Sequence, residues 1–118
     1  MSRPLIVYTT VGNPEQGRHI ARELVEARLA ACVSCHPGWI SFYRWAGKVE
    51  EDAEMLLMIK TTADRLAELK RHLLRLHPYE VPEILVVEVR EAGEAYLRWL
   101  GESTRVTASD GAAEAAQS

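Results

Sequence analysis

The stretch LIVYTTVGNPEQ, residues 5–16, joins a strand-like run directly to the start of a helix. Residues 5–11 are rich in β-branched side chains and end at Gly12, a pattern typical of a strand buried on both faces. Asn13 provides an N-cap and Pro14 the first helical position. The helical spacing of the apolar residues that follow predicts an amphipathic helix over residues 14–29.

A long hairpin is predicted next. Strand-like sequence begins at Cys32, passes Pro37-Gly38 and continues to Trp45, and a turn at Ala46-Gly47 leads to a second apolar strand over residues 55–61. The first arm of this hairpin crowds four aromatic residues into seven positions: Trp39, Phe42, Tyr43 and Trp45.

The second half of the chain repeats the helix–strand order. Thr61 to Asp64 has the [ST]-x-x-[DE] pattern of a capping box and predicts the start of a second helix. Leucines at helical spacing form its apolar stripe, and Pro78 ends it. Residues 84–89 are predicted to form the last long strand.

A short helix is predicted from Gly93 to Leu100, closed by Gly101. Residues 103–118 have no apolar period, so we expect a flexible C-terminal tail after a single domain over residues 1–102.

The order of elements is βαββαβ plus a short helix, which predicts an α+β fold of the ferredoxin-like type. Right-handed crossovers put both main helices on one face of such a sheet. Several strands are apolar on both faces, and two helices cannot cover all of that surface. We therefore expect the second face to be covered by another copy of the chain.

The composition of the chain excludes some classes of partner. The 118 residues carry a net charge of −3, which argues against nucleic acid or an anionic membrane as the main partner. The longest apolar run near the start is too short to span a bilayer, and no signal-peptide pattern precedes it. The predicted location is the cytoplasm.

Residues 77–83, HPYEVPE, carry an imidazole, a phenol and two carboxylates between and beside two prolines. Pro78 and Pro82 push the residues before them toward extended conformations, so the segment is predicted to be a braced loop that presents polar groups. The alternative is a stiff connector between helix and strand whose carboxylates are simply solvated.

The two cysteines, Cys32 and Cys35, are spaced as C-x-x-C, which fits a redox pair or half a zinc site. Side chains three apart on a strand leave from opposite faces, although a bulge at Pro37-Gly38 would change that parity locally. The preferred interpretation is two buried, reduced thiols. Cys35 beside His36 remains an alternative soft-metal pair.

Six motifs span most of the chain: LAACV (29–33), Pro37-Gly38, S-x-Y-x-W-x-GKVE-x-D-x-E (41–54), Lys60-Thr61, HPYEVPE (77–83) and YL-x-W (96–99). Over about residues 5–102 they resemble, in the same order, the motifs of the CutA divalent-cation tolerance proteins. The resemblance implies a ferredoxin-like subunit in a tight homotrimer, with the long hairpin forming subunit contacts. It also implies an association with copper tolerance and copper binding.

The predicted metal ligands are His77, which the resemblance implies, and Glu80, with Glu83 as the alternative carboxylate. Thr9 stands where the resemblance would place a cysteine, and Leu76 stands where it would place a second histidine. One imidazole with carboxylate help makes a modest Cu(II) or Zn(II) site, because affinity grows with ligand number.

A cleft between subunits is the other candidate site. Tyr43 and Trp45 face the same way and fit either a pocket or an interface core. Glu54 and Lys60 share a face and fit either a buried or interfacial ion pair or, together with Tyr79 and His77, the lining of that cleft. The predicted ligand-binding residues are Tyr43, Trp45, Glu54, Lys60, Tyr79 and Glu83.

No nucleophile, phosphate-loop or metalloprotease motif occurs, so we expect a protein that is not an enzyme. The first hypothesis is a trimer that binds copper or another divalent metal ion and acts in metal-ion response. The second is a signalling or scaffold trimer, similar in architecture to the PII proteins, which binds a small ligand and a partner protein. A hydrolase or isomerase that uses His77 as a base is a distant third.

Overall fold

The structure is a computed structural model, and it describes residues 2–106. In chain order its elements are β1 (Pro4–Val11), α1 (Pro14–Glu26), β2 (Cys32–Trp45), β3 (Lys48–Thr62), α2 (Leu66–Leu76), β4 (Leu85–Glu88) and α3 (Glu94–Thr104). The strands lie in the order β2-β3-β1-β4, and every pairing is antiparallel. This is the sheet of the ferredoxin-like fold, so the predicted fold class is confirmed.

The predicted hairpin is present as β2 and β3, joined by a two-residue turn. Ala46 has φ 52° and Gly47 has φ 79°, so both residues are left-handed, as a type I′ turn requires. The register runs from Cys32 opposite Lys60 to Trp45 opposite Lys48. The turn therefore fixes which residues of the two strands face each other.

A β-bulge interrupts β2 between His36 and Trp39, with Gly38 at φ 76°. Before the bulge, even-numbered residues of β2 lie opposite even-numbered residues of β3. After it, odd-numbered residues such as Tyr43 do so. The bulge therefore moves Tyr43 and Trp45 onto the face of the sheet that Glu54 shares.

Helices α1 and α2 pack on one face of the sheet, as predicted from the right-handed crossovers. Asn13 caps α1 as expected, with its Oδ1 accepting from the backbone N–H of Glu15 at 2.8 Å. The shared core consists mainly of Val7, Val11, Ile20, Leu24, Leu29, Met55, Leu57, Ile59, Leu69 and Leu73.

The opposite face of the sheet stays open in a single chain. Along β1, Leu5 and Val7 are buried, whereas Ile6 and Tyr8 on the other face are only half-buried. The prediction that this strand is buried on both faces is therefore wrong for one chain. Large apolar residues that remain exposed on this face are Trp39, Tyr43, Trp45, Leu85 and Val87.

Helix α1 ends three residues earlier than predicted. The backbone N–H of Leu29 donates to the carbonyl of Leu24 at 2.9 Å across Arg28, which is left-handed with φ 59°. A left-handed residue of this kind terminates a helix, and apolar periodicity alone does not reveal it.

The predicted capping box at Thr61 is wrong. The Thr61 hydroxyl instead donates to the carbonyl of Leu29 at 2.7 Å, because Thr61 is still inside β3. A 3-10 turn over Ala63–Arg65 precedes α2, and the Thr62 hydroxyl donates to Asp64 at 2.6 Å. The leucine stripe and the end of α2 before Pro78 are as predicted.

Helix α3 runs past its predicted end at Leu100, through Gly101, to Thr104. The Thr104 hydroxyl donates to the Leu100 carbonyl at 2.9 Å and contacts the Thr62 hydroxyl at 3.2 Å, so the last turn is tied to the sheet. The predicted tail therefore starts too early, and residues 107–118 lie outside the described part of the chain. No helix within residues 2–106 is long and apolar enough to cross a membrane.

Candidate functional site

A cleft of about 710 Å³ lies between the β2–β3 hairpin and the loop that follows α2. The two prolines of that loop keep it non-helical, which agrees with the predicted braced loop. The cleft brings together five of the six predicted ligand-binding residues, and Glu80 as well. The residues of the lining used below are Tyr43, Trp45, Asp52, Glu54, Tyr79, Glu80 and Glu83.

Two tyrosine–carboxylate pairs occupy the walls of the cleft. Tyr79 donates its hydroxyl hydrogen to Glu54 Oε2 at 2.9 Å, and Tyr43 donates to Asp52. The hydrogen bond to Asp52 raises the pKa of Tyr43 to about 12. Burial and then the bond to Glu54 raise the pKa of Tyr79. Both phenols are therefore neutral donors at neutral pH.

Negative charge in the cleft is not balanced by its own lining. Burial, followed by the nearby charge of Glu54, raises the pKa of Glu83. None of the described residues that line the cleft is a lysine, arginine or histidine. Carboxylates that share a site without a counter-charge favour a proton or a bound cation.

His77 lies beside the cleft and not in its lining. Its Nε2 is 2.8 Å from the carbonyl oxygen of Thr10, which can only accept, so Nε2 carries the hydrogen. Its Nδ1 accepts from the backbone N–H of Tyr79 at 3.1 Å. Burial lowers the pKa of His77, in agreement with a neutral ring.

The role of His77 and Glu80 as metal ligands stays a prediction. Glu80 lines the cleft, whereas a metal ion at His77 would have to displace one of its two hydrogen bonds. Within residues 2–106 no group of three or more His, Cys, Asp or Glu side chains is arranged to hold a metal ion. The described part of a single chain thus offers no complete metal site of that kind.

Lys60 does not join the cleft, and it forms no ion pair with Glu54 within one chain. A pair across a subunit interface stays a prediction. The Lys60 ammonium donates to Ser34 Oγ at 2.7 Å and lies 3.6 Å from Cys32 Sγ. The two residues do share a face, but six positions along a strand separate them by roughly 20 Å. Odd or even position along a strand predicts which face a side chain is on, but not how far apart two side chains on that face lie.

Asp52 is the main residue of the cleft that the sequence analysis missed. It lies on the same face of β3 as Glu54, and the parity argument applied to Glu54 and Lys60 also covers it. Its hydrogen bond to Tyr43 joins the two strands diagonally, because Tyr43 lies directly opposite Glu50. The bulge that sets this register lies at Pro37-Gly38, where the sequence analysis considered one, but its effect on Tyr43 and Asp52 was not worked out.

The cysteines are free thiols on β2, and no disulfide joins them. Cys32 is half-buried beside Lys60 and Cys35 is exposed, so the prediction of two buried thiols is wrong for Cys35 and met only in part by Cys32. The register places Cys35 opposite Leu57 and Cys32 opposite Lys60, which puts them on opposite faces as argued. His36 contacts the backbone oxygen of Pro37 and the ring of Trp39.

A second cavity of about 530 Å³ lies between the first residues of the chain and the end of α3. Arg98 and Arg105 line it together with Asp64 and Glu102, so its charges have both signs. The acidic cleft is lined by charges of one sign, whereas this cavity is lined by both, and the cleft is therefore the better candidate site.

The fold and the cleft define a ferredoxin-like α+β protein with an acidic, aromatic site beside its hairpin. A family model described as CutA1 divalent ion tolerance protein matches residues 5–103. The chain therefore belongs to the CutA1 divalent ion tolerance protein family.

Individual relatives agree with this assignment. The divalent-cation tolerance protein CutA of Thermus thermophilus is 50% identical over 99 residues, covering 84% of this chain and 96% of the relative. The chloroplastic protein CutA of Arabidopsis thaliana is 44% identical over 101 residues, covering 86% of this chain. The chain spans 56% of the length of this plant relative, which is just over half.

Solved structures of the family have the same fold. The structure of CutA1 from Oryza sativa has a TM-score of 0.86 at 42% identity, covering 90% of this chain and 97% of that one. The structure of the periplasmic divalent cation tolerance protein CutA from Archaeoglobus fulgidus has a TM-score of 0.83 at 30% identity. The match covers 86% of this chain and 99% of the Archaeoglobus fulgidus chain.

Proposed function

We propose that this protein contributes to divalent-cation tolerance by binding a divalent cation in the acidic cleft. The observation that supports this most directly is a cleft whose described lining has four carboxylates, Asp52, Glu54, Glu80 and Glu83, and no basic residue. Within one chain these carboxylates do not converge closely enough to form a ligand set. The raised pKa of Glu83 reflects burial and the neighbouring charge of Glu54. A divalent cation would relieve that repulsion.

Oxygen donors determine which cations the proposed site accepts. Carboxylate and phenol oxygens suit hard ions such as Mg²⁺, Ca²⁺ and Mn²⁺, whereas copper also profits from imidazole and thiolate ligands. Divalent copper nevertheless forms the most stable complexes with a given set of oxygen and nitrogen ligands. We expect copper to bind more tightly than manganese or zinc, and only weakly if one chain supplies all of the ligands.

We also propose that copies of the chain assemble, as a homotrimer in the arrangement that the family resemblance implies. Support comes from the open sheet face, where Trp45 is 52% exposed and Leu85 is 56% exposed. A soluble protein rarely leaves such a patch uncovered. A neighbouring copy would supply further ligands to a cation that one chain holds incompletely.

The test is calorimetric titration of the full chain with MnCl₂, ZnCl₂ and CuCl₂ at neutral pH, with the number of subunits measured by native mass spectrometry. Glu54→Gln should weaken binding by about tenfold or more, because it removes one of the negative charges of the cleft. Glu51→Gln is the matched control, since this exposed β3 residue does not line the cleft. No cation binding by the unmodified trimer would disprove the proposal.

A small organic ligand is the second candidate. The cleft is far larger than a bare ion needs, and the rings of Phe42, Tyr43 and Trp45 form part of its wall. Pockets that combine aromatic walls with a few polar groups bind small molecules. Such a ligand, with or without a partner protein, would correspond to the signalling hypothesis. Binding that persists in excess chelator and is lost on Trp45→Ala would support this candidate over the metal ion.

Three predictions remain proposals. The absence of an enzymatic role, and of nucleic-acid and membrane partners, is supported by the lack of catalytic motifs and by the net charge of −3. A cytoplasmic location is proposed for this chain, although its relatives include chloroplastic and periplasmic proteins. Cell fractionation with an antibody to the chain would test it.

A further inference from the structure

The imidazole of His77 connects two parts of the molecule. Its Nε2–H donates to the carbonyl of Thr10 at 2.8 Å, at the end of β1, and its Nδ1 accepts from the backbone N–H of Tyr79 at 3.1 Å. The ring is 7% exposed, and it meets the Tyr79 ring edge-on with centroids 4.8 Å apart. Both polar atoms of the ring are therefore used for contacts within the chain.

The Thr10 carbonyl lacks a strand partner on this side of the sheet. β4 pairs with β1 only from Leu5 to Tyr8, so Thr10 lies beyond the end of the ladder. Thr10 is buried, and a buried carbonyl without a donor is costly. The His77 side chain supplies the donor that a longer β4 would have supplied.

The other end of this connection is a wall of the cleft. The Tyr79 hydroxyl donates to Glu54 at 2.9 Å, and it lies so close to Gly12 that a Cβ there would be 3.0 Å from the phenol oxygen. Tyr79 is thus held at its backbone by His77 and at its hydroxyl by Glu54. The bare backbone of Gly12 leaves room for the ring.

We propose that His77 is a positioning residue, which holds Tyr79 against Glu54 and thereby orients the carboxylate that the cleft presents to a cation. Its effect on binding rests on the function proposed above, whereas its effect on Tyr79 does not. The role differs from that of a metal ligand, because it needs both ring nitrogens to stay bonded to the protein's own backbone.

The test uses the full chain with tyrosine labelled at the ring carbon that bears the hydroxyl, observed by ¹³C NMR. Tyr79→Phe identifies the Tyr79 resonance by its absence. His77→Gln keeps an amide donor near the position of Nε2, and His77→Asn keeps an acceptor near that of Nδ1. His77→Gln therefore removes the hydrogen bond from the Tyr79 N–H, and His77→Asn removes the hydrogen bond to the Thr10 carbonyl. In both variants the Tyr79 resonance should move toward that of a solvent-exposed tyrosine.

Matched variants complete the design. His36→Gln changes an exposed histidine on β2 and should leave the Tyr79 resonance in place. Gly12→Ala leaves His77 intact, and it should shift the resonance by pushing the phenol away from Glu54. Titration with MnCl₂ should show affinity reduced about fivefold in His77→Gln and His77→Asn, the effect of one lost hydrogen bond of about 1 kcal/mol.

An unchanged Tyr79 resonance in folded His77→Gln and His77→Asn would overturn the proposal. So would abolished manganese binding with that resonance unchanged, because His77 would then act as a ligand. If the unmodified protein binds no cation but the resonance still shifts in both variants, the positioning role stands. In that case only the proposed cation function fails.

Discussion

Thr9 and Thr61 are both fully buried threonines, and replacing each with valine should change stability in opposite directions. Thr9 lies on the core face of β1, and its hydroxyl has no hydrogen-bond partner among the described residues. The Thr61 hydroxyl donates to the carbonyl of Leu29 at 2.7 Å. The same substitution therefore removes an unsatisfied group at one position and a hydrogen bond at the other.

The expected magnitudes follow from the cost of burying a polar group. Thr9→Val exchanges an unpaired hydroxyl for a methyl group of similar size and should stabilise by about 1 kcal/mol. Thr61→Val leaves a buried carbonyl without its donor and should destabilise by about 1–2 kcal/mol. For a domain of this length the first change corresponds to a rise in Tm of roughly 4 °C.

Urea denaturation followed by circular dichroism would measure both changes. All variants must be compared at one protein concentration, because the stability of an assembling protein depends on it. The slope of the transition should stay constant, so that shifts in midpoint report stability. A loss of stability in Thr9→Val equal to that in Thr61→Val would show that the Thr9 hydroxyl has a partner and would refute the reasoning.

Three further predictions concern single positions. Ala46→Asn should stabilise by about 0.5–1 kcal/mol in the same urea assay, because asparagine tolerates the left-handed conformation of this turn better than alanine; a loss of stability would contradict this. Gly17→Ala should destabilise by about 1–3 kcal/mol, since the new Cβ would lie 2.5 Å from Met55 Sδ. Unchanged stability would mean that the Met55 side chain moves aside without cost. Burial lowers the pKa of His77 in the folded state, so its contribution to the free energy of unfolding should be fully present above about pH 6.5 and should be lost as pH falls below that value. His77→Gln should reduce this loss of stability at low pH. An equal dependence of stability on pH in both proteins would refute the assignment.

Local sequence patterns predicted most of the fold. The β-branched run before Gly12, the Asn13-Pro14 helix start and the Ala46-Gly47 turn each carry their own conformational preference, so they could be recognised without tertiary information. The ends of elements were less predictable. The end of α1 depends on a left-handed Arg28, and α3 continues through Gly101 because Thr104 is tied to the sheet.

The cleft was predicted in part, because face assignment follows from parity while distance does not. Tyr43, Trp45 and Glu54 do line one cleft, whereas Lys60 shares their face at the far end of β3. The contacts of His77 depend on where β4 stops pairing, and no local pattern encodes that point. The residue type of His77 suggested a metal ligand, whereas in the structure both of its ring nitrogens hydrogen-bond to the backbone.

The two walls of the cleft differ in how much of the chain must be organised before they exist. The hairpin wall needs only neighbouring residues around a two-residue turn, a closure expected within microseconds. The Tyr79 wall requires the loop after α2 to dock against the end of β1, where His77 bonds to Thr10, 67 residues earlier in the chain. Contacts so distant in sequence form late and slowly. A partly folded chain would have the hairpin carboxylates and no opposite wall, so ligand binding would report the last step of folding.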